Sequence, residues 1–559
     1  MKRKLSVIMS MMLAGSMLLS ACGSTQKEPQ TIPTATEETT PEASEEPVVA
    51  SENQEITFVL SNEPDGLDPG ITNNSFAAPF LANCFEGLVT NDESGSVVPG
   101  NAETWDVSED GTVYTFHLRD GLKWSDGSDL TAKDYVYSIE RVLTPATTAQ
   151  YLSMVTDYVA GAQEYYDGTG SEDTLGVKAV DDKTLQITLI QPTSFFIDIL
   201  SMWVFDPVQK ATIDANADKW TSSPDSYICN GPYKITEMNM GESIVLERNE
   251  NYWDNANTTL DKITFRYIMD TSTALTAYEA GEVDGIRSVP SSDIKRLKAS
   301  DEGLQTVSSF GTVYYLINCS KEPYNNPLVR KALNLAIDRQ SIIDNVVQID
   351  AQPAYNFISP GYAVDGEDLV DGRSDRGLSA GANPEEAKAA LAEAGYPDGE
   401  GFPTLQLSYY SDDTAKKVVE AMAEMLETNL GIQVEISSND WAIYYESVQK
   451  GDYGVAAMGW SADYMHPMSF LPLLVTGDVT NNSFYSNSQY DELVKQVMAE
   501  TDSKKALDLM RQAENLVMDE YPYINLYYKA NNFLMSKNVT GYYMTASGNL
   551  YFKHAKKSE

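Results

Sequence analysis

The hydrophobic positions of this chain repeat with two different periods. Alternating apolar and polar residues predict strands at 55–60, 112–118, 183–190 and 432–436. Apolar residues spaced three and four apart predict helices at 131–143, 329–347, 385–395, 415–430 and 441–449. A continuous apolar run at 453–460 predicts a buried strand. Strands and helices that are mixed along the whole chain predict an α/β fold.

One helix start carries a more specific signal. Thr131 is followed three residues later by Asp134, and this spacing resembles a capping box. In that arrangement each of the two side chains bonds the backbone N–H of the other residue. The helix over 131–143 is therefore predicted with a defined first turn.

The N-terminal residues are typical of an export signal. Positions 2–4 are basic, positions 5–19 form an apolar run that is too short for a comfortable membrane span, and small residues precede Cys22. We expect 1–21 to be a signal peptide. The segment 19–22, LSAC, resembles a bacterial lipobox, which implies that cleavage leaves Cys22 as a lipid-modified N-terminus.

The next segment, 22–54, is rich in Thr, Glu, Pro and Ser and poor in large apolar residues. Such a composition cannot bury enough surface to offset its chain entropy, so we expect a disordered acidic tether. No later segment approaches about 18 uninterrupted apolar residues. The lipid at Cys22 would therefore be the only attachment to a membrane.

Composition and charge narrow the classes of function. The chain has 559 residues, of which 42% are hydrophobic and 22% charged, so two or three folded domains are expected. Its formal net charge of −43 excludes electrostatic binding of nucleic acid or of an anionic membrane face. A charge of this sign favours cationic ligands at long range, although most of it is expected to be a solvated acidic surface.

Neither cysteines nor catalytic motifs indicate an enzyme. Besides Cys22 the chain has Cys84, Cys229 and Cys319, without CxxC spacing, so we expect buried free thiols and leave one disulfide pair open. HExxH, GxSxG and phosphate-loop motifs are absent from the sequence. Of the three histidines only His466 lies beside a candidate site. We expect no catalytic residues, no metal and no cofactor.

The candidate site follows the apolar run 453–460. The stretch GWSADYMHPMSF, 459–470, places Asp463 between Trp460 and Tyr464. A carboxylate in apolar surroundings loses hydration and needs a cationic partner. Ligands of open α/β sheets gather beyond the carboxyl ends of strands, and Asp463 lies just beyond such an end.

Eight segments together resemble one protein family. They are SNEPDGLDPG (61–70), FEGLV (85–89), FHLRDGLKWSDGSDLTAKDYVYSIERV (116–142), NGPYKI (230–235), AGEVDG (280–285), NPLVRKALNLAIDR (326–339), AKAALAEAGYPDG (387–399) and GWSADYMHPMSF (459–470). In this order they are similar to the oligopeptide- and dipeptide-binding proteins of bacterial ABC importers, the family 5 extracellular solute-binding proteins. The resemblance runs from about residue 55 to the C-terminus.

The resemblance implies a two-lobed periplasmic-binding-protein-like fold of the large type, with an inserted subdomain. Residues 55–85, 208–310 and 531–559 would form the base of lobe I, 86–207 its inserted subdomain, and 311–530 lobe II. The chain would cross between the lobes twice, near Gly311 and near Lys529, and these two crossings would form a hinge.

The resemblance also implies roles for individual residues. In oligopeptide-binding members the aspartate that corresponds to Asp463 receives the α-ammonium of the peptide, and an internal salt bridge to Lys or Arg is the alternative. Main-chain contacts to the peptide are implied for Asn73, Asn74, Ser75, Gly459 and Ser461. Pocket walls are implied for Trp441 and Trp460, and polar or aromatic lining for Tyr151, Asn230 and Tyr314, where an ordinary core role is an equal alternative.

Departures from the family pattern bear on specificity. Enterobacterial oligopeptide binders have a disulfide between the positions of Ser461 and Gly311, and it is absent here. Their basic residues for peptide carboxylates correspond to uncharged positions near Val347, Ala415, Val448 and Ala457. The C-terminus of a bound peptide would then lie in solvent or be met elsewhere, which disfavours a dipeptide-specific site.

The function that follows is a lipid-anchored, outward-facing binding protein. It would act as a monomer, capture oligopeptides in a closing cleft and deliver them to an ABC transporter permease. A signalling-peptide receptor on the same fold is the first alternative. A secreted peptidase, or a binder of nickel, haem or sugar, is a weaker one.

Overall fold

The computed structural model describes residues 53–300, 302–364, 367–370 and 378–559. All of them belong to the unit that begins at Val49. The predicted signal peptide, Cys22 with its predicted lipid and nearly all of the predicted tether lie outside the described residues.

The strands are β1 Glu55–Leu60, β2 Val89–Asn91, β3 Val97–Pro99, β4 Ala102–Val107, β5 Val113–Leu118, β6 Val177–Asp181, β7 Thr184–Thr188, β8 Tyr233–Asn239, β9 Ser243–Arg248, β10 Lys262–Tyr267, β11 Gly285–Ile286, β12 Leu304–Ile317, β13 Gln352–Pro353, β14 Ala363–Val364, β15 Glu367–Asp368, β16 Leu405–Tyr410, β17 Val434–Asn439, β18 Val455–Ser461, β19 Tyr523–Met535, β20 Val539–Thr540, β21 Tyr543–Met544, β22 Leu550–Tyr551 and β23 Lys556–Lys557.

The helices are α1 Ala78–Cys84, α2 Ala132–Val142, α3 Ser153–Thr156, α4 Ala162–Tyr166, α5 Phe196–Ile199, α6 Lys210–Asn216, α7 Thr271–Glu279, α8 Ser291–Ser300, α9 Pro327–Leu335, α10 Arg339–Ser341, α11 Pro384–Glu393, α12 Asp413–Leu430, α13 Trp441–Gln449, α14 Ser488–Ala499 and α15 Ser503–Glu520. A π-helical segment, Ile342–Val347, continues directly from α10.

A large mixed sheet connects distant parts of the described chain. Its strand order is β17-β16-β18-β12-β19-β11-β1-β10-β9-β8, with β13 paired to β19. β12 and β19 are long antiparallel neighbours in the middle of this order. The strands from 405–461 lie on one side of this pair and those from 55–286 on the other. The α/β fold predicted from the sequence is confirmed.

The central strand pair is irregular where the sequence predicts the two crossings. β12 and β19 pair from Leu304 to Ser308 and again from Thr312 onward, with a register shift between the two stretches. Phe310 has a φ of +35°, a value that residues with a side chain rarely adopt. The predicted crossings near Gly311 and Lys529 therefore fall inside these strands, at a break in their ladder.

The first and last parts of the described chain share one core. Phe58 of β1 packs edge-on against Phe552 with ring centroids 6.1 Å apart, and Phe265 of β10 lies 6.1 Å from the same ring. A separate four-stranded sheet, ordered β4-β5-β7-β6, lies within 86–207. The limits of the predicted domains stay a prediction.

Several local predictions are confirmed. The capping box of α2 is present: Asp134 accepts a hydrogen bond of 2.8 Å from the N–H of Thr131, and the Thr131 side chain accepts one from the Asp134 backbone. α13 has the predicted bounds, Trp441–Gln449. The strand predicted at 432–436 is displaced, because β17 begins at Val434 and continues to Asn439.

The single helix predicted over 329–347 is wrong, because the chain breaks after α9. Asp338 begins the next helix by accepting a 2.8 Å hydrogen bond from the N–H of Ser341. The buried Arg339 guanidinium donates to the carbonyls of Asn334 and Asn525, at 3.2 and 2.8 Å. Since these partners lie in α9 and β19, the break is fixed by tertiary contacts that the periodicity of the sequence does not reveal.

Candidate functional site

The candidate site is a loop that folds back on the end of β18. β18 pairs with β12 so that Ser461 faces Gly311 and Gly459 faces Val313. Beyond the strand, Trp460 Nε1 donates to the carbonyl of Ser469 at 2.8 Å, and the Asp463 N–H donates to Ser469 Oγ at 2.9 Å. The loop is therefore held to a short 3₁₀ turn, Pro467–Ser469, and presents Asp463 from a fixed backbone.

The Asp463 carboxylate is half-buried and has no partner. Among the described residues no side chain or backbone group forms an ion pair or hydrogen bond with it. Burial raises the pKa of Asp463 to about 6. The internal salt bridge that was the alternative for this residue is not formed in the described structure.

A cavity of about 180 Å³ lies in front of this carboxylate. It brings together five of the residues proposed from the sequence, which are Asn73, Ser75, Tyr151, Ser461 and Asp463. Its other walls include Met202, Trp203, Ser547 and Asn549. The cavity thus lies between segments from the predicted lobe I and the motif of the predicted lobe II.

Tyr151 is the aromatic wall of this cavity. Its ring lies edge-on to Trp203 at 5.9 Å, and burial, together with the negative charge of Asp463, raises the pKa of Tyr151 to about 12. The Trp203 indole N–H donates to the carbonyl of Thr72 at 2.8 Å, which ties the segment of Asn73 to the same wall. Asn74 does not line the cavity but shapes the turn, because its side-chain oxygen accepts a 2.8 Å hydrogen bond from Phe76.

A second cavity, of about 380 Å³, is lined by residues of β18 that precede Ser461. It holds two more of the predicted residues, Trp441 and Gly459, together with Tyr410, Tyr527 and Lys529. Trp441 is 51% exposed and its ring stacks on Tyr445 with centroids 5.4 Å apart. An exposed indole beside a cavity is suited to contact an apolar ligand group.

Asn230 and Tyr314 lie away from both cavities. Asn230 is 3% exposed, and its amide donates to the carbonyl of Glu86 at 2.7 Å while its oxygen accepts from the N–H of Glu86. Tyr314 is 3% exposed and stacks on Tyr523 at 4.5 Å. The structure places both in the core, which is the alternative that the sequence had left open for them.

His466 and the cysteines lie in environments that suit structural roles. His466 is buried, stacks on Phe195 at 5.1 Å and accepts the N–H of Met468 on Nδ1 at 3.2 Å. Burial lowers the pKa of His466 to about 3, so it stays neutral near pH 7. Cys84, Cys229 and Cys319 are free thiols, and Cys319 is only partly buried.

The described residues contain neither a metal-binding cluster nor a membrane-spanning helix. No cluster of three or more His, Cys, Asp or Glu residues in this part of the chain is arranged to hold a metal ion. Within the same residues no helix is both long enough and apolar enough to cross a membrane.

Sequence reasoning missed Lys529 as a site residue. Its ammonium lies 2.9 Å from Ser461 Oγ, beside the motif. The available signal was a single basic residue in the otherwise uncharged strand YINLYYKANNFLM. The sequence also gave no reason to bring Ser547 and Asn549 to the Asp463 cavity, because they lie more than eighty residues further along the chain.

An α/β molecule with a long shared sheet and a cavity between two parts of the chain has the architecture of the large bacterial solute-binding proteins. Residues 96–482 match the family described as bacterial extracellular solute-binding proteins, family 5. The chain belongs to this family.

Individual relatives cover nearly the whole chain. The oligopeptide-binding protein OppA of Bacillus subtilis is 33% identical over 510 residues, which cover 89% of this chain and 92% of OppA. The unliganded open form of the murein tripeptide-binding protein MppA superposes with a TM-score of 0.81 at 32% identity, covering 92% of this chain and 99% of MppA. Haemophilus influenzae OppA in complex with the peptide RPPGFSPFR superposes with a TM-score of 0.70 at 30% identity, covering 91% of this chain and 100% of OppA.

Proposed function

We propose that this protein captures oligopeptides between two lobes and delivers them to an ABC transporter permease. The names of its relatives support peptides as the ligand class, since OppA of B. subtilis is an oligopeptide-binding protein and MppA binds murein tripeptide. The observation that carries the proposal for this chain is the unpartnered, half-buried Asp463 carboxylate in a cavity with walls from both parts of the chain.

In this proposal Asp463 receives the α-ammonium of the peptide. An ammonium that is enclosed in a cleft must replace its lost hydration with charge-assisted hydrogen bonds, and a desolvated carboxylate provides them. Ser461, Asn73 and Ser75 lie in the same cavity and supply polar groups for the first residue of the peptide. Gly459 and Trp441 line the adjoining cavity, where later residues would lie along β18.

The lobes of the proposal have the limits predicted from the sequence, with 55–85, 208–310 and 531–559 as the base of lobe I, 86–207 as its insertion and 311–530 as lobe II. The irregular pairing of β12 and β19 supports a hinge there, because a break in the ladder is a place where backbone angles can change. A lipid at Cys22 would hold the monomeric protein at the outer face of the cell membrane. The predicted tether would be long and flexible enough for the folded part of the protein to contact the permease.

The decisive experiment is calorimetry with the Asp463→Asn variant. We expect this change to weaken binding of an unmodified oligopeptide by about 3 kcal/mol or more, because it leaves the bound ammonium without a counter-charge. Wild-type protein should lose a similar amount when the peptide is N-acetylated.

The matched control is Asp452→Asn, which alters an exposed acid of the same predicted lobe and should leave affinity unchanged. Equal affinity of wild type and Asp463→Asn would remove Asp463 from the site. Mass spectrometry of peptides incubated with the purified protein should recover them intact, whereas cleaved products would indicate a peptidase.

A further inference from the structure

Lys529 is a half-buried lysine without an acidic partner. It lies in β19 opposite the break in the ladder between Ser308 and Thr312. Its ammonium donates a 2.9 Å hydrogen bond to Ser461 Oγ, and no carboxylate of the described residues forms an ion pair with it. Burial lowers the pKa of Lys529, and no neighbouring charge offsets this.

The acidic side chains that line the same cavities as Lys529 are engaged elsewhere. Asp412 lines the same cavity, but its carboxylate caps α12 by accepting a 2.7 Å hydrogen bond from the N–H of Ala415. Asp350 lines a neighbouring cavity that Lys529 also reaches, and it pairs with Lys298 at 2.6 Å. In a chain with 82 acidic and 39 basic residues, a half-buried ammonium that forms no ion pair with any carboxylate of the described segments is unexpected.

Two glycines make room for the lysine side chain. A Cβ at Gly311 would lie 2.9 Å from Lys529 Cδ, and a Cβ at Gly459 would lie 3.3 Å from its Cε and 3.5 Å from its Nζ. These glycines lie on the paired strands β12 and β18, where Gly311 is opposite Ser461 and Gly459 precedes Ser461 by two residues. The lysine therefore runs across a surface that is bare of side chains and ends in the cavity of Trp441.

The position of Lys529 relative to Asp463 defines a length. Ser461 contacts the ammonium and also lines the cavity of Asp463, and it precedes Asp463 by two residues. Residues two apart have Cα atoms at most about 7 Å apart, so the lysine and aspartate charges are on the order of 10 Å apart. The two ends of an extended peptide of three or four residues are separated by about 10–13 Å.

We infer that Lys529 receives a carboxylate of the bound peptide, three or four residues from the ammonium that Asp463 binds. This inference rests on the proposed function and specifies its ligand class as tri- and tetrapeptides with a free C-terminus. A longer peptide with an acidic side chain at the same distance would present the same carboxylate to Lys529. Amidated peptides distinguish a side-chain carboxylate from a C-terminal carboxylate.

The test compares peptide acids with their amides by calorimetry. For wild-type protein, trialanine or tetra-alanine should bind about 30-fold or more tightly than the corresponding amide, because the amide leaves the ammonium of Lys529 unpaired. Hexa-alanine should show no such preference. The Lys529→Met variant keeps the aliphatic stem and should bind acid and amide with similar affinity.

The matched control is Lys298→Met. Lys298 lines the neighbouring cavity but is already paired with Asp350, so this variant should keep the wild-type preference for acids. An amidated hexapeptide with Glu at position three or four, compared with Gln, tests the second source. A Glu preference without a C-terminal preference would overturn the short-peptide assignment.

Other outcomes contradict the inference outright. Equal binding of acids and amides at every length in wild-type protein would exclude a carboxylate at Lys529, and this comparison needs no variant. Tighter binding of acids and amides alike by Lys529→Met would mean that the lysine competes with the ligand for Asp463. If binding needs a free N-terminus but ignores the C-terminus, only this inference fails. If no peptide binds, the proposed function fails with it.

Discussion

At the scale of single residues, the site consists of charges that the protein does not neutralise. Asp463 is half-buried without a cation, and its pKa of about 6 records the cost of that burial. Some other buried charges in the described chain are paired, as in the case of Arg141 and Asp68, whose closest atoms are 2.5 Å apart, whereas Asp198 and Asp206 resemble Asp463 in having pKa values that burial raises. What distinguishes Asp463 is that it shares its cavity with Asn73, Ser75 and Tyr151, and carboxyl groups with a raised pKa concentrate at binding sites.

Peptide affinity should depend on pH through Asp463. Its pKa is raised in the free protein, and a bound ammonium would lower it again, so the bound state carries fewer protons on this group. Affinity should be constant above about pH 6 and should fall with decreasing pH below it, by up to about tenfold per unit. Calorimetry with trialanine between pH 4.5 and 7 measures this.

The Asp463→Asn variant is the control for that titration. His466, whose pKa lies near 3, does not titrate in this range, and the variant retains the other acidic groups. Its weaker affinity should stay constant over the same pH values. A wild-type profile that is flat from pH 4.5 to 7 would contradict the assignment of the ammonium to Asp463.

At the scale of elements, close contacts between backbones determine where segments meet. The segment before β8 passes directly over the end of α1, where the N–H of Gly231 donates to the carbonyl of Cys84 at 2.7 Å. A Cβ at Gly231 would lie 2.6–2.8 Å from backbone atoms of Cys84 and Phe85. Backbone cannot rotate away as a side chain can, so this crossing requires glycine.

Gly231→Ala should destabilise the protein by about 1–3 kcal/mol, because the added methyl group must displace the end of α1. Urea unfolding measures the change in the free energy of unfolding. Gly66→Ala is the matched control, since no heavy atom lies within 4 Å of a Cβ at Gly66. Equal losses of unfolding free energy in the two variants would mean that the close backbone contact at Gly231 does not cause the destabilisation.

At the scale of the whole molecule, contacts outside the main sheet join the insertion to the motif loop. Phe195 stacks on Tyr464 with the rings 5.8 Å apart and nearly parallel. A cavity of about 280 Å³ beside this stack is lined by Asp198, His466, Met465 and the loop Ser94–Val97. Burial raises the pKa of Asp198 to about 7, so its charge opposes this arrangement above neutral pH.

Asp198→Asn should therefore stabilise the protein at pH 8. The folded-state pKa of Asp198 lies above its unfolded value, so the folded state holds more protons between about pH 4 and 7, and stability falls as pH rises through that window. The variant should gain about 1–3 kcal/mol over wild type at pH 8 and much less at pH 5. Thermal unfolding at the two pH values measures this.

The exposed Asp225 provides the control, because Asp225→Asn should change stability equally at pH 5 and pH 8. A gain for Asp198→Asn that is as large at pH 5 as at pH 8 would show that charge burial is not the cause.

Local patterns predicted many of the elements, and long-range contacts decided the rest. The capping box at Thr131 and the bounds of α13 follow from neighbouring residues, so the sequence was sufficient for them. The break after α9 depends on Arg339 reaching β19, nearly two hundred residues away, and no local period reports such a contact. Asn230 and Tyr314 were assigned by motif alone, and the structure places them in the core.

The alternation of strands and helices, the ordered family motifs and the position of Asp463 at the end of a strand all follow from the sequence alone. These are properties of nearby residues and of their order. The fold of the described residues leaves Asp463 unpaired, brings Ser547 and Asn549 to its cavity and places Lys529 beside Ser461. Burial and pairing depend on which distant segments pack together, and the energies of those contacts exist only in the folded chain.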